Sequence, residues 1–80
     1  MRQYLINLRK ERKMTQTDVA EQLKMSQQMY AFIEKGKRPK NISLTLLNHL
    51  AEIFSVSSEF LIEEENKLLQ SEEENVFQKT

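Results

Sequence analysis

Residues 16–35, QTDVAEQLKMSQQMYAFIEK, have the pattern of two short helices joined by a tight turn, and the rest of the chain is organised around them. Thr15 lies at the N-cap position of the first helix, with Asp18 three residues later. Ser26 is placed to cap the second helix after the apolar period breaks. Ala20, in the middle of the first helix, is small enough for two helices to cross closely. The segment therefore predicts a pair of tightly packed helices.

The second helix of this pair has distinct inner and outer faces. Tyr30 and Ile33 are spaced to point toward the core. The outer face then carries Gln27, Gln28, Ala31 and Phe32. The exposed start of this helix is therefore rich in amide groups that can donate and accept hydrogen bonds.

The spacing resembles the phage repressor and Cro type of helix-turn-helix, known as the XRE family. In that family the first residue of the motif is often Gln, the fifth is small, the ninth favours Gly, and the tenth, fifteenth and eighteenth are apolar. The corresponding residues here are Gln16, Ala20, Lys24, Met25, Tyr30 and Ile33. Lys24 departs from the pattern, and at a positive φ it should cost about 1 kcal/mol relative to Gly. The resemblance extends from Leu5 to Leu61 and implies an all-α, five-helix, lambda-repressor-like DNA-binding domain with a C-terminal acidic extension.

The composition limits the possible functions. Eighty residues suffice for one domain with its own core but not for a substrate cavity of drug size, so an enzyme is not expected. There is no cysteine and a single His, so we expect no disulfide framework, no metal and no cofactor. No apolar run approaches the roughly 18 residues of a membrane span. We therefore expect a soluble cytoplasmic protein with no membrane partner.

The formal net charge is zero, yet the two halves of the chain have opposite signs. Residues 1–40 hold ten Lys or Arg and four Asp or Glu, a balance of +6, whereas residues 41–80 hold two and eight, a balance of −6. The basic half contains the helix pair. Such asymmetry is typical of a nucleic-acid-binding face combined with a separate acidic segment.

The segment 2–13 is predicted to form the first helix, because its apolar residues recur at helical spacing. Its basic residues are expected to lie on a solvated face; they are Arg9, Lys10, Arg12 and Lys13. The resemblance gives Arg9 a different role. It implies an ion pair between Arg9 and Glu34, at the end of the second motif helix, which would fix how the first and third helices meet.

The segment after Ile33 is rich in cations. Gly36 lies just past the expected helix end, and Pro39 prevents the helix from continuing. The cations are Lys35, Lys37, Arg38 and Lys40. Cations also suit the negative end of a helix dipole, so a structural role is an alternative. We expect phosphate contacts, because three of the four lie beyond the helix, where the dipole effect has faded.

Ser43 is placed to cap a fourth helix and Ser57 a fifth, in which Phe60 and Leu61 are apolar. The inward stripe of the fourth helix is expected to be Leu44, Leu47, Leu50, Ala51 and Phe54. His49 falls off this stripe and is expected to be exposed rather than a ligand or a catalyst. The Met residues expected to fill the core or its edges are Met14, Met25 and Met29.

Residues 63–80 differ in character from residues 1–62, the expected DNA-binding domain. Six Glu residues lie in two runs, at 63–65 and 72–74. Ile62, Leu69 and Val76 are seven apart, but one apolar residue per heptad is too few for a coiled coil. We expect a helical extension or a disordered acidic tail. An outward Ile62 together with Leu69 is a candidate patch for dimerisation.

The leading hypothesis is a sequence-specific transcriptional regulator, a repressor by resemblance, that binds a double-stranded DNA operator as a homodimer. In this family the second motif helix lies in the major groove with its N-terminal residues at base edges. Candidate base contacts are Gln27, Gln28 and Phe32, since a Gln amide can pair with adenine and a Phe ring can touch a thymine methyl. Candidate phosphate contacts are Gln16, Lys37, Arg38 and Lys40.

A second hypothesis is a protein-interaction module of the antitoxin or anti-repressor type, in which the acidic tail binds a basic site on a protein partner. One domain can also bind DNA and a partner together. The basic loop favours DNA, because a pure interaction protein does not need cations beside two Gln residues at a helix start. An enzyme comes third, since the sequence has no Gly-rich phosphate loop and no partner for its single His.

Overall fold

The computed structural model describes the backbone of residues 1–36 and 42–79 and the side chains of residues 1–36 and 42–68. Its helices are α1 (Gln3–Glu11), α2 (Gln16–Leu23), α3 (Gln27–Lys35), α4 (Leu44–Phe54) and α5 (Ser58–Lys79). No strand occurs in these ranges, and the predicted all-helical, five-helix, lambda-repressor-like fold class is confirmed. None of the described helices combines the length and the apolar character needed to cross a membrane.

Local hydrogen bonds start the helices where the sequence predicts. Before α2, the Asp18 amide donates to Thr15 Oγ1 at 3.1 Å, and the Thr15 amide donates to Asp18 Oδ2 at 2.8 Å. The bond from the Thr15 amide lowers the pKa of the Asp18 carboxyl. Ser26 and Ser43 accept in the same way from the third residue of α3 and of α4, at 3.1 Å and 3.2 Å. Each cap satisfies an amide that the helix leaves without a partner.

Three of the helices end in a left-handed backbone conformation. Gly36 closes α3 at φ 78°, where the missing Cβ avoids strain. Lys24 closes α2 at φ 58°, and Ser55 closes α4 at φ 54°. At these two positions a Cβ is forced toward backbone oxygen, which costs about 1 kcal/mol each. The strain expected at Lys24 from the sequence is therefore present.

The core draws on all five helices. Its buried residues are Leu5, Leu8, Val19, Ala20, Tyr30, Ile33, Leu47, Leu50, Ala51, Phe54 and Leu61. The helix α2 packs against α3 and α4, α1 packs against α3, and α4 packs against α5. Ala20 is almost fully buried, as the close crossing of α2 requires. This packing holds α3 with one face against the core and the other toward solvent.

Two apolar residues that the sequence predicted to lie in the core or at its edge are exposed. Leu44, predicted to be the first residue of the inward stripe of α4, has 61% of its surface exposed. It is the first residue of the helix and lies beyond the edge of the core, whereas Leu47 one turn later is buried. Met29, predicted to fill the core or its edge, is 47% exposed on α3. The helical periodicity gives the direction of a side chain but not where the neighbouring helix ends.

Arg12 departs from the solvated face expected for the basic residues of α1. Its Nε donates to the Phe54 carbonyl at 2.7 Å, and its Nη1 donates to the Leu8 carbonyl at 3.0 Å. The guanidinium carbon lies 5.8 Å from the centre of the Phe54 ring. A cation at these carbonyls stabilises the C-terminal ends of α1 and α4. Arg12 therefore joins two helices rather than extending into solvent.

The helix α5 continues to Lys79. Its residue Glu65 is buried and contacts Arg2 near the start of the chain, with Arg2 Nε 2.8 Å from Glu65 Oε2. The side chain of Glu65 is therefore packed against the start of the chain.

Replacing Ser55 with Gly should relieve the left-handed strain at the end of α4. We expect the free energy of unfolding, measured by urea denaturation, to rise by about 0.5–1 kcal/mol. The control is Glu52→Gly, an exposed position within the same helix, where the free energy should fall by about 0.5 kcal/mol. Losses at both positions would show that the backbone at Ser55 is not strained.

Candidate nucleic-acid interface

The helix α3 presents a polar first turn to solvent. Its buried residues, Tyr30, Ile33 and Glu34, lie on one side of the helix. Gln27 and Gln28 are exposed, and Phe32, one turn after Gln28, is partly covered. We call these three residues, Gln27, Gln28 and Phe32, the reading face. It is the part of the domain where the sequence predicts base contacts.

A line of hydrogen bonds connects the reading face to the interior. Gln27 Nε2 donates to Gln16 Oε1 at 2.7 Å, and Gln16 Nε2 donates to Glu34 Oε1 at 2.9 Å. A primary amide has two N–H hydrogens, so each Gln keeps one for a further partner. Within the described part of the chain, the Gln27 oxygen also remains available. The side-chain amides of Gln16 and Gln27 are thus oriented and can still form a further hydrogen bond.

The structure brings Arg9 and Glu34 together. Arg9 Nε lies 2.7 Å from Glu34 Oε2, and Arg9 Nη2 lies 3.3 Å from Oε1, so the contact is bidentate. Arg9 Nη1 donates to the Met14 carbonyl at 3.1 Å. Only 2% of the Glu34 side chain and 14% of the Arg9 side chain is exposed. The pair joins α1 to the C-terminal end of α3.

The surroundings of Glu34 keep it ionised. Burial alone would raise the pKa of Glu34, but the hydrogen bonds from Arg9 and Gln16 outweigh it and hold the pKa below its ordinary value. The hydrogen bond between Arg9 and Glu34 also raises the pKa of Arg9. Burial, followed by the neighbouring Glu34 carboxylate, raises the pKa of Tyr30. At neutral pH the site therefore contains a charged pair beside a neutral Tyr30.

Of the other site residues predicted from the sequence, four fall wholly or partly outside the described residues. Lys37, Arg38 and Lys40 lie outside the described residues, and so does the side chain of Leu69. Ile62 lies in the second turn of α5 and is half-buried against the core. The network thus contains Arg9, Gln16, Gln27 and Glu34.

Capped helices, a left-handed turn at Lys24 and an exposed second helix together make residues 16–35 a complete helix-turn-helix. A family model described as helix-turn-helix matches residues 5–61, more than half of the chain. The chain belongs to the phage repressor and Cro type of helix-turn-helix family. No curated protein and no solved structure gives a significant match. The family comprises DNA-binding regulatory domains rather than enzymes, so the protein is a DNA-binding helix-turn-helix regulator.

Two features of this helix-turn-helix domain were missed by sequence reasoning. The bond between Gln16 and Gln27 depends on how two helices cross, and no local pattern signals it. Arg2 was missed as well: its amide donates to the Glu34 carbonyl at 2.7 Å, and its Nη1 donates to the Ile33 carbonyl at 2.8 Å. A single Arg before the first helix has no periodic partner that would single it out.

The charged side chains described at this site, Arg9 and Glu34, are bonded to each other and to neighbouring polar groups. In the part of the chain that the structure describes, no group of three or more His, Cys, Asp or Glu is arranged to hold a metal. His49 is exposed on α4, on a different helix from the reading face.

Breaking the Arg9–Glu34 pair from one side should be more damaging than removing both residues. Arg9→Met and Glu34→Leu should each lower the free energy of unfolding by about 3–5 kcal/mol, because each leaves a buried charge without its partner. The double variant should lose less than either single variant. The four proteins are compared by urea denaturation.

The exposed pair Lys67–Glu64, whose atoms lie 3.0 Å apart, supplies the control cycle. Its variants Lys67→Met and Glu64→Leu should each leave the free energy of unfolding nearly unchanged. Purely additive losses at Arg9 and Glu34 would contradict a coupled pair.

Acid should remove the stabilisation that Glu34 provides. The unfolded chain has the ordinary pKa of 4.5, and the folded pKa lies below it. The contribution is therefore complete above the unfolded pKa and is lost as the pH falls through the folded pKa. The stability difference between the wild type and Glu34→Gln should be constant from about pH 6 to pH 8 and should shrink below about pH 4.5. A difference that stayed constant into strong acid would contradict a lowered pKa.

Proposed function

We propose that this protein is a sequence-specific transcriptional regulator that inserts α3 into the major groove of operator DNA and represses transcription. The observation that carries the proposal is the exposed first turn of α3, with Gln27 and Gln28 side by side and Gln27 held by Gln16. A helix start of this kind, supported by a preceding helix, is how the family places side chains at base edges. Repression follows if the bound protein blocks the polymerase, and a cytoplasmic location follows if its operator is chromosomal or phage DNA.

Gln27 and Gln28 are suited to adenine. A Gln amide recognises adenine by accepting from N6 and donating to N7, which requires one oxygen and one N–H hydrogen. Gln28 is exposed at the centre of the reading face. Gln27 uses one N–H for Gln16 and retains the second, together with its oxygen, among the described contacts. Both residues can therefore make the bidentate contact while Gln27 keeps its support.

Phe32 offers a different kind of readout. It follows Gln28 by one helical turn and is partly covered, so part of its ring faces outward. An apolar ring in the major groove can contact the C5 methyl of thymine. The reading face then combines two adenine-specific amides with one thymine-specific surface.

Phosphate contacts would fix the register of α3. Gln16 lies at the start of α2 and keeps one N–H hydrogen beyond the bond to Glu34. The cations Lys37, Arg38 and Lys40 follow α3 in the sequence. Such contacts carry no sequence information but supply much of the affinity.

Dimerisation would give the protein enough contact with DNA. One reading helix covers only a few base pairs, and dimers of this family bind two half-sites about 34 Å apart. The helix α5 provides the surface: Phe60 is 40% exposed and Ile62 is half-buried. Leu69, two turns beyond Ile62, would extend this surface in a homodimer.

The direct test is selection of binding sites from a random pool of double-stranded oligonucleotides with the wild-type protein. We expect one enriched sequence with two-fold symmetry, rich in A·T pairs where Gln27 and Gln28 read. An asymmetric enriched site would contradict the dimer but not the reading face. Failure to enrich any sequence would contradict sequence-specific binding.

Gln28→Ala should weaken binding to the selected site by about 1–3 kcal/mol and leave binding to random DNA nearly unchanged, because a base contact is lost. Binding is measured by fluorescence anisotropy on both DNAs. Gln22→Ala, an exposed Gln on α2 outside the reading face, is the matched control and should bind both DNAs as the wild type does. Equal losses on the two DNAs would refute base reading by Gln28.

Changing Arg38 and Lys40 together to Ala provides the opposite pattern. Both DNAs should lose affinity, and the slope of log K against log salt should decrease by about 2, because two phosphate contacts are removed. An unchanged slope would exclude both residues from phosphate binding.

A further inference from the structure

A cluster of three polar side chains, two of them buried and one partly buried, joins the start of the chain to α5. Arg2 Nε lies 2.8 Å from Glu65 Oε2, and the Tyr4 hydroxyl donates to the same oxygen at 2.6 Å. Arg2 is 2% exposed and Glu65 7%. Burial and the adjacent carboxylate raise the pKa of Tyr4, so its hydroxyl remains a donor at neutral pH. We call Arg2, Tyr4 and Glu65 the Arg2 cluster.

The Arg2 cluster is also bonded to the end of α3. Arg2 donates from Nη1 to the Ile33 carbonyl at 2.8 Å and from its amide to the Glu34 carbonyl at 2.7 Å. Carbonyls in the last turn of a helix have no helical amide four residues later to accept from, and a cation there also suits the helix dipole. The Ile33 carbonyl accepts in addition from the Gly36 amide at 3.1 Å. The guanidinium is therefore held between a carboxylate of α5 and the backbone of α3.

Stability alone is a poor reason to bury this cluster. Removing a guanidinium and a carboxylate from water costs about as much as their attraction returns, and apolar residues of similar volume are often as stable. A planar guanidinium differs from an apolar side chain in fixing several donors in one geometry. The Arg2 cluster consequently defines where the end of α3 lies relative to α5.

Glu34 connects the Arg2 cluster to the reading face. Its carbonyl accepts from Arg2, and its side chain accepts from Gln16, which in turn accepts from Gln27. A shift at the end of α3 would therefore reach the amide of Gln27 through two hydrogen bonds. Base readout depends on the direction of that amide.

We propose that Glu65, acting through Arg2, is a positioning residue for the reading face and couples α5 to DNA recognition. The proposal rests on the function proposed above. A displacement of α5 that separates Glu65 from Arg2 frees the end of α3 and lowers the discrimination between bases. Since such coupling is reciprocal, binding of the specific site holds α5 against Arg2 in return.

The test uses two variants of the full chain to distinguish a role in positioning the reading face from a role in stability alone. The first is Glu65→Gln, which keeps the size of the side chain and removes its charge. The second is the triple variant Arg2→Met, Tyr4→Phe and Glu65→Met, which removes every polar side chain of the cluster together with the bond from Arg2 to the Ile33 carbonyl. The control is Glu64→Gln, which also removes a carboxylate from α5 but breaks the ion pair with Lys67 instead of the contact with Arg2.

Each protein is measured on the site selected by the wild type and on single-base variants of that site, at a temperature where it is fully folded. Glu65→Gln and the triple variant should lose discrimination between these sites by about 5- to 100-fold, the range expected for one good base contact. Binding to random DNA should stay within about twofold, because phosphate contacts do not depend on base identity. The control should discriminate as the wild type does.

A folded triple variant that discriminates as the wild type does would overturn the proposal, since the Arg2 cluster would then be structural only. Amide hydrogen exchange of the wild type gives a second measurement that needs no variant. The Arg2 amide, which donates to Glu34, should exchange more slowly with the selected site than with random DNA of equal occupancy. Equal exchange would overturn the coupling even if the variants failed to fold.

Failure of the proposed function would look different. In that case the selection with the wild type enriches no sequence, so discrimination is absent before any residue is changed. Failure of the further inference leaves the wild-type selection intact and affects only the comparison of variants and the exchange of the Arg2 amide.

Discussion

The buried carboxylate of Glu34 is the group on which the arrangement of this domain depends. Left alone in the interior it would be strongly unfavourable, so it must receive charge and hydrogen bonds from its neighbours. Arg9 supplies the charge from α1, and Gln16 supplies a further donor from α2. Because these partners come from two other helices, satisfying one carboxylate fixes the relative positions of α1, α2 and α3.

The same carboxylate determines the direction of the polar groups at the surface. An ionised carboxylate only accepts hydrogen bonds, so the Gln16 amide must turn its nitrogen toward Glu34. The Gln16 oxygen is then left facing Gln27, whose nitrogen donates to it. Gln27 is exposed, and among the described contacts it keeps its own oxygen and second N–H for a further partner. The orientation of a residue on the reading face thus follows from a charge in the interior, and a pattern of exposed Gln residues alone would not reveal it.

Features set by neighbours in the sequence were predictable, and features set by distant contacts were not. The caps at Thr15, Ser26 and Ser43 and the turn at Lys24 each depend on residues within one helical turn. The pairing of Arg9 with Glu34 came from family resemblance, since their spacing has no helical or strand period. Arg2 and Glu65 stand 63 residues apart, and nothing local marks either as buried. The exposure of Leu44 was missed for a related reason, because periodicity cannot show where the core ends.

The charge balance of the chain acquires a clearer meaning once the internal pairs are known. The charges of Arg9 and Glu34 cancel within the basic half and leave its balance unchanged. Arg2 and Glu65 take one charge from each half, so the balances of +6 and −6 become +5 and −5 once the charges of these two ion pairs are set aside. A DNA-binding surface requires that the acidic part remain apart from the basic part, since carboxylates would otherwise compete with phosphates. Glu65 is the last residue of the first run of acidic residues on α5, and its contact with Arg2 fixes the position of that turn. The contact between Arg2 and Glu65 therefore fixes both the end of α3 and the point where the acidic part of α5 begins to extend beyond the core. A change in the position of the end of α3 then implies a change in the position of the acidic part of α5.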